Sequence, residues 1–137
     1  MKKLILCLLS ISLLASCGKK DKLVGEWDSQ EKYGDKSSWI FKEDGSVIVI
    51  KDGKEQNILG TERKTSMKYS VDDSKNPKWF DIIINDDVNH EEVYRMKGIY
   101  DFLSDNTFKL CMPINKNDLP MRPLEFVSEN TVIFERK

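Results

Sequence analysis

Several residue types are scarce in this sequence. Three cysteines, seven glycines, four prolines and one histidine occur among 137 residues. So few cysteines exclude a disulfide scaffold, and so little glycine and proline exclude a collagen-like or low-complexity chain. Neither sign of charge dominates, because 22 Lys and Arg residues stand against 23 Asp and Glu residues. A chain without a basic excess lacks the electrostatic footprint of a nucleic-acid-binding protein, so we predict no nucleic-acid partner.

Sequence motifs of catalysis are missing as well. The chain has no Gly-x-Ser-x-Gly elbow, no Gly-rich phosphate-binding loop and no dinucleotide-binding fingerprint. Cys111 could act as a nucleophile only with a base and an electropositive setting. It stands between Leu110 and Met112 in a predicted strand, with no histidine nearby. We therefore predict that Cys111 is a packing thiol, that the protein is not an enzyme and that it uses no cofactor.

The single histidine lies in an acidic segment. His90 is accompanied by Asp86, Asp87 and Glu92, which together could supply metal ligands. The spacing fits neither an EF-hand nor a His-Glu-x-x-His motif, and a second histidine is missing from the sequence. We predict a solvated acidic loop and no metal site.

The N-terminal residues have the pattern of an export signal. Lys2 and Lys3 precede an apolar run at residues 4–15. This run is too short to cross a bilayer, since a spanning helix needs about 20 apolar residues. It leads into Leu-Ala-Ser-Cys at residues 14–17, which resembles the lipobox of bacterial lipoproteins. An ordinary secretory signal with an incidental cysteine is the alternative.

The lipobox resemblance implies a lipid anchor on Cys17, which would become the first residue after cleavage. We therefore expect residues 1–16 to be a signal peptide, residues 17–22 a lipidated cysteine with a short tether, and residues 23–137 one domain. The five residues 18–22 reach at most about 17 Å when extended. The domain is thus expected in the bacterial cell envelope, held to a membrane on its extracytoplasmic side.

The rest of the chain reads as short strands separated by turns. Runs rich in β-branched and aromatic residues recur, and Glu43-Asp44-Gly45 is a strong hairpin signal because Gly allows the positive φ that such a turn requires. The predicted strands are 24–29, 38–42, 46–51, 55–59, 65–71, 79–85, 93–103, 107–112, 123–127 and 131–136.

This pattern predicts an all-β fold. Eight to ten strands joined by hairpins must protect their edges, and closure into a single antiparallel up-and-down β-barrel does so most completely. A β-sandwich is the alternative architecture.

Five motifs follow one another in a recognisable order. They are Gly-x-Trp at residues 25–27, Asn-Pro-Lys-Trp-Phe-Asp at 76–81, Gly-Ile-Tyr at 98–100, Thr-Phe-Lys-Leu-Cys at 107–111 and Arg-Pro-Leu-Glu-Phe at 122–126. The ordered set resembles an uncharacterised family of bacterial lipocalin-like domains over roughly residues 23–137. Trp79 and Phe80 are bulkier than the pair expected after Pro-Lys. The resemblance implies a barrel and carries no established activity.

The resemblance also implies a structural role for three residues. In lipocalins the tryptophan of Gly-x-Trp closes one end of the barrel against an arginine from the last strand. The matching residues here are Gly25, Trp27 and Arg136, and a guanidinium stacked on an indole is a favourable pair.

The barrel interior admits two interpretations. Aromatic, methionine and leucine side chains alternate along the predicted strands and could line a cavity for a small apolar ligand. The same side chains could fill the barrel completely, which favours a structural or protein-interaction lipoprotein. The predicted lining residues are Met67, Tyr69, Tyr94, Met96, Tyr100, Phe102, Phe108 and Leu110.

Overall fold

In a computed structural model, the chain forms an antiparallel sheet that closes on itself. The structure describes residues 22–30, 36–57, 64–113 and 121–137. The predicted signal peptide and Cys17 lie outside these residues. The strands of the described part are β1 (Gly25–Gln30), β2 (Lys36–Phe41), β3 (Ser46–Lys51), β4 (Lys54–Glu55), β5 (Thr65–Asp72), β6 (Lys78–Asp86), β7 (Glu92–Ser104), β8 (Thr107–Cys111) and β9 (Thr131–Arg136).

The strand order shows a closed up-and-down barrel. Apart from β4, each strand pairs antiparallel with the next one along the chain, β3 pairs with β5, and β9 returns to pair with β1. Eight strands therefore form the barrel, and β4 is an additional two-residue strand on the edge of β3. The predicted all-β barrel is confirmed, and the sandwich alternative is wrong.

Local sequence explains the strands and their turns. In β6, Phe80, Ile82 and Ile84 are buried while the residues between them are more exposed, as the period of a strand requires. Two hairpins at one end of the barrel use aspartate to bind the following backbone. Asp44 Oδ1 accepts a hydrogen bond from Ser46 N at 2.8 Å, and Asp72 Oδ1 accepts one from Ser74 N at 3.0 Å.

The strand predicted at residues 123–127 is wrong. This stretch has no strand pairing and instead lies within an outer segment, residues 121–127, that runs over the outside of the barrel. The reason is that β8 already pairs with β7 on one side and with β9 on the other, so no sheet edge is open to it. The prediction for residues 55–59 is correct only at Glu55, and residues 58 and 59 lie outside the described residues.

The core occupies the interior of the barrel. Nine aromatic side chains form one connected set of ring contacts there, with neighbouring centroids 4.7–6.3 Å apart. They are Trp27, Trp39, Phe41, Tyr69, Phe80, Tyr100, Phe102, Phe108 and Phe134. Ile99 and Cys111 are also fully buried, but they lie outside this cluster, on the wall that the outer segment covers.

Candidate functional site

One barrel end is closed by Trp27. Its side chain is fully buried, and its indole N–H donates a hydrogen bond to Leu23 O at 2.7 Å. Arg136 Cζ lies 4.1 Å from the centre of the Trp27 ring, and the two residues are register partners across β1 and β9. Arg136 also donates to Val24 O at 3.0 Å and to Lys22 O at 2.7 Å, so one guanidinium holds the entering chain to the barrel.

Gly25 makes room for this arginine. Its φ is +137°, a backbone conformation that residues with a side chain rarely adopt. A Cβ at this position would lie 2.7 Å from Arg136 Nη1. The structure thus brings Gly25, Trp27 and Arg136 together at the closed end.

The predicted lining residues all face the barrel interior, where they pack in or against the core, and Met67 also lines a pocket of about 290 Å³ with Val47, Val49 and Ile84. Met67, Tyr100, Phe108 and Leu110 are buried in the core, while Tyr69, Tyr94, Met96 and Phe102 pack against it. The ring centre of Phe41 on β2 lies 6.0 Å from that of Phe80 on β6 and 6.2 Å from that of Phe108 on β8. Side chains from opposite walls therefore meet at the barrel axis.

A small cavity lies one layer of side chains away from Trp27. Its volume is about 90 Å³. A pocket for a small apolar ligand needs roughly 300 Å³ or more. The cavity is lined by Ser29, Trp39, Leu110, Met112, Asn130, Val132 and Phe134.

Gly98 illustrates how the interior is filled. A glycine among inward-facing residues leaves space for strand bending or for a ligand. A Cβ on Gly98 would overlap Met112 Sδ and would lie 2.8 Å from Cys111 O and 3.2 Å from Phe80 O. The space beside Gly98 is therefore used by the protein itself.

The acidic loop forms a turn around Asp86. Asp86 Oδ1 accepts hydrogen bonds from Val88 N at 2.8 Å and from Asn89 N at 3.3 Å. His90 N donates to Asp86 O at 2.8 Å, and His90 adopts a positive φ of 56°. Across the described ranges, no three His, Cys, Asp or Glu side chains are grouped so that they could hold a metal ion.

Cys111 is fully buried, and it points away from the barrel interior. Its Sγ lies 3.9 Å from Glu125 O in the outer segment, and its register partner on β7 is the equally buried Ile99. The thiol is thus covered by the outer segment.

A cluster of charges holds the outer segment to the barrel wall. Arg122 Nη2 lies 2.7 Å from Asp81 Oδ1, and Arg122 Nη1 donates to Gly98 O. Asp81 Oδ2 accepts from Arg95 Nη1 at 3.0 Å, and Arg95 also binds Glu92. Hydrogen bonds to these carboxylates, Glu92 first and Asp81 second, raise the pKa of Arg95 above its already high ordinary value. Asp81 Oδ1 is buried. It forms the ion pair with Arg122, but the angles of this contact do not meet the geometry of a hydrogen bond.

Sequence reasoning did not predict this outer cluster. It unites residues from three of the five ordered motifs, namely Asp81, Gly98 and Arg122. The joint occurrence of those motifs in the sequence was the signal that could have indicated this cluster. Because residues 123–127 were predicted to form a strand, the contact of the outer segment with Asp81 and Gly98 was not predicted.

Trp79 is the exposed aromatic residue of this cluster. It points outward from β6 and is 39% exposed. Arg122 Cζ lies 4.3 Å from the centre of its ring, and Lys75 Nζ lies 4.9 Å from it. Next to it, the outer segment presents exposed apolar side chains at Met121, Leu124 and Val127.

Comparison of the chain with known protein families, curated proteins and solved structures found no match. In the described part of the chain, no helix has the length and apolar character needed to span a membrane.

Proposed function

We propose that this protein is a lipid-anchored, non-catalytic module of the bacterial cell envelope that contacts a protein partner through its outer surface. The observation that carries this proposal is the filled barrel. The Phe41 ring meets Phe80 and Phe108 across the interior, and the cavity beside these rings measures about 90 Å³. The outer segment, by contrast, exposes the apolar side chains of Met121, Leu124 and Val127 to solvent.

The lipocalin-like family remains part of the proposal. Its support is that the ordered motifs share a structural purpose: Gly25 and Trp27 close one end with Arg136, while Asp81 and Arg122 fasten the outer segment. Motifs far apart in the sequence thus contact one another in the fold.

The anchor on Cys17 rests on the lipobox, and the position of Lys22 supports its geometry. Lys22 Nζ lies 5.8 Å from the centre of the Phe102 ring and 3.9 Å from Asp105 Oδ1, at the end closed by Trp27. A tether of at most about 17 Å would hold this end at the membrane. The outer segment, which lies on the side of the barrel, would then be accessible to another envelope protein.

The contact surface is the exposed part of the outer segment, at Met121, Leu124 and Val127. Leu124 is 88% exposed, although burying a leucine is favourable by roughly 1.5–3 kcal/mol. Neighbouring exposed apolar residues of this kind are typical of a protein-binding surface.

Site-specific photo-crosslinking in the cell envelope tests the proposal. A photoreactive residue at position 124 is expected to give one discrete cross-linked product with a protein. Val88, 75% exposed in the acidic loop, is the matched control position and is expected to give none. Equal products at positions 124 and 88, or none at either, would contradict the proposed contact surface.

Ligand titration tests the rival carrier function. We expect no saturable binding of fatty acids or flat aromatic dyes by the purified protein, because the cavity is smaller than such ligands require. Saturable binding that Met96→Trp weakens would support a carrier and overturn the filled-barrel proposal.

A further inference from the structure

A pocket of about 370 Å³ lies on the outside of the barrel, between the barrel and the outer segment. This volume lies within the range of small-molecule sites. The pocket is lined by Asn76, Pro77, Trp79, Lys97, Arg122, Pro123 and Leu124.

The lining carries positive charge. Lys97 and Arg122 are its two charged residues, and no carboxylate is among the lining residues. Arg122 is already paired with Asp81, which also binds Arg95. Lys97 is half-buried on β7, and within the described ranges its ammonium group has no carboxylate within ion-pair distance. Asp81, the register partner of Lys97, and Glu92 partly offset this charge, but the three cations Arg95, Lys97 and Arg122 outnumber these two carboxylates, so the pocket keeps a net positive charge.

The remaining lining is largely apolar. Pro77 and Pro123 have fixed φ angles, and the Trp79 ring is held by Arg122 at 4.3 Å. Part of the Trp79 ring remains exposed. Such a surface favours contact with a ring, because an aromatic side chain offers a large area at little entropic cost.

We propose that this pocket binds a small ligand made of a ring that carries a carboxylate. Lys97 Nζ donates to the carboxylate, the exposed part of Trp79 and the two prolines contact the ring, and the Asn76 amide binds a polar substituent. Arg122 positions the outer segment and adds positive charge. Leu124 lines the pocket and also belongs to the proposed protein contact surface, but the ligand proposal is carried by Lys97 and Trp79, which that contact does not use.

Two sources supply this chemistry, a sugar acid and an aromatic acid. Calorimetric titration of the full chain in mild detergent with D-glucuronate and, separately, with benzoate distinguishes them. The neutral counterparts D-glucose and benzamide are the controls for the carboxylate. We expect saturable binding of one acid, at least tenfold tighter than binding of its neutral counterpart.

Variants test the assigned residues. Lys97→Gln is expected to weaken binding of the acid at least fivefold and to leave the weak binding of the neutral counterpart unchanged. Lys68→Gln replaces an exposed lysine on β5, away from the pocket, and is expected to change affinity less than twofold. Trp79→Ala is expected to weaken binding at least tenfold, while Trp79→Phe retains part of it.

Three results would overturn the proposal. One is that neither acid binds saturably, and another is that acids and neutral counterparts bind equally well. The third is that Lys97→Gln and Lys68→Gln have the same effect. Thermal unfolding of each variant checks its fold, and if Trp79→Ala proves unfolded, Lys97→Gln and Trp79→Phe decide the matter. A negative outcome here leaves the cross-linking result at position 124 untouched.

Discussion

Arg136 lies over the buried Trp27 ring at 4.1 Å and at the same time binds the backbone oxygens of Val24 and Lys22. One side chain thus joins the last strand, the barrel plug and the entry of the chain. Loss of either partner should affect both the packing and the closure of the barrel.

Trp27→Ala should destabilise the protein by roughly 3–5 kcal/mol, the range for truncation of a large buried side chain. Chemical denaturation of Trp27→Ala, Arg136→Ala and the double variant measures the coupling between the two residues. We expect the double variant to lose less stability than the sum of the single ones. Strictly additive losses would mean that the stacked pair contributes nothing beyond its separate contacts.

Gly25→Ala should be more destabilising than Gly53→Ala. Both glycines have positive φ, at +137° and +72°, but a Cβ at Gly25 meets Arg136 while a Cβ at Gly53 has no atom within 4 Å. We expect about 1–3 kcal/mol for the backbone strain, with an additional cost at Gly25 from the displaced guanidinium. Urea midpoints of the two variants give the comparison, and equal losses would contradict the steric role of Gly25.

Arg122→Ala should release the outer segment and expose Cys111. The thiol is fully buried beneath this segment, and Arg122 fastens the segment through Asp81 and Gly98. We expect alkylation of Cys111 to accelerate at least tenfold, as measured by peptide mass spectrometry. Arg95→Gln is the control, because the hydrogen bonds and ion pairs of Arg95 within the described residues go to Asp81 and Glu92 and not to the outer segment. The same acceleration in both variants would assign the effect to general destabilisation.

Cys17 is predicted to carry the lipid anchor. Metabolic labelling with an acyl-chain analogue should mark the wild-type protein and leave Cys17→Ala unmarked, with the variant recovered in the soluble fraction of the envelope. Equal labelling of both proteins would remove the anchor from the proposed function.

Acid should weaken the ion pair between Glu92 and Arg95. Hydrogen bonds from Arg95 hold the pKa of Glu92 below its ordinary value of 4.5. A lowered pKa in the folded state means that the contribution is complete above about pH 4.5 and is lost as the pH falls through the lowered pKa. The contribution is small because the pair is exposed. Unfolding free energies of the wild type and Glu92→Gln should differ at pH 7 and converge as the pH falls through the lowered pKa of Glu92, and a constant difference would contradict the assignment.

Most of the strands and hairpins could be predicted from the sequence, because each depends on residues that are close to one another along the chain. Alternation in β6, the aspartates that bind the backbone at the turns and Gly45 with its positive φ all act within a few residues. Eight such strands in sequence leave few ways to protect their edges, so the barrel was predictable. The pairing of Trp27 with Arg136 was accessible only through a resemblance between motifs.

Two features depend on the tertiary structure: whether residues 123–127 form a strand, and whether the inward-facing side chains fill the barrel or line a cavity. The composition of residues 123–127 suits a strand, but barrel closure uses both edges of β8, so the segment is held by side-chain contacts instead. Likewise, the same inward-facing residues could line a cavity or fill it. Phe41 on β2 contacts Phe80 on β6 and Phe108 on β8 because the closure of eight strands brings distant walls within reach of one another, a distance that no local pattern encodes.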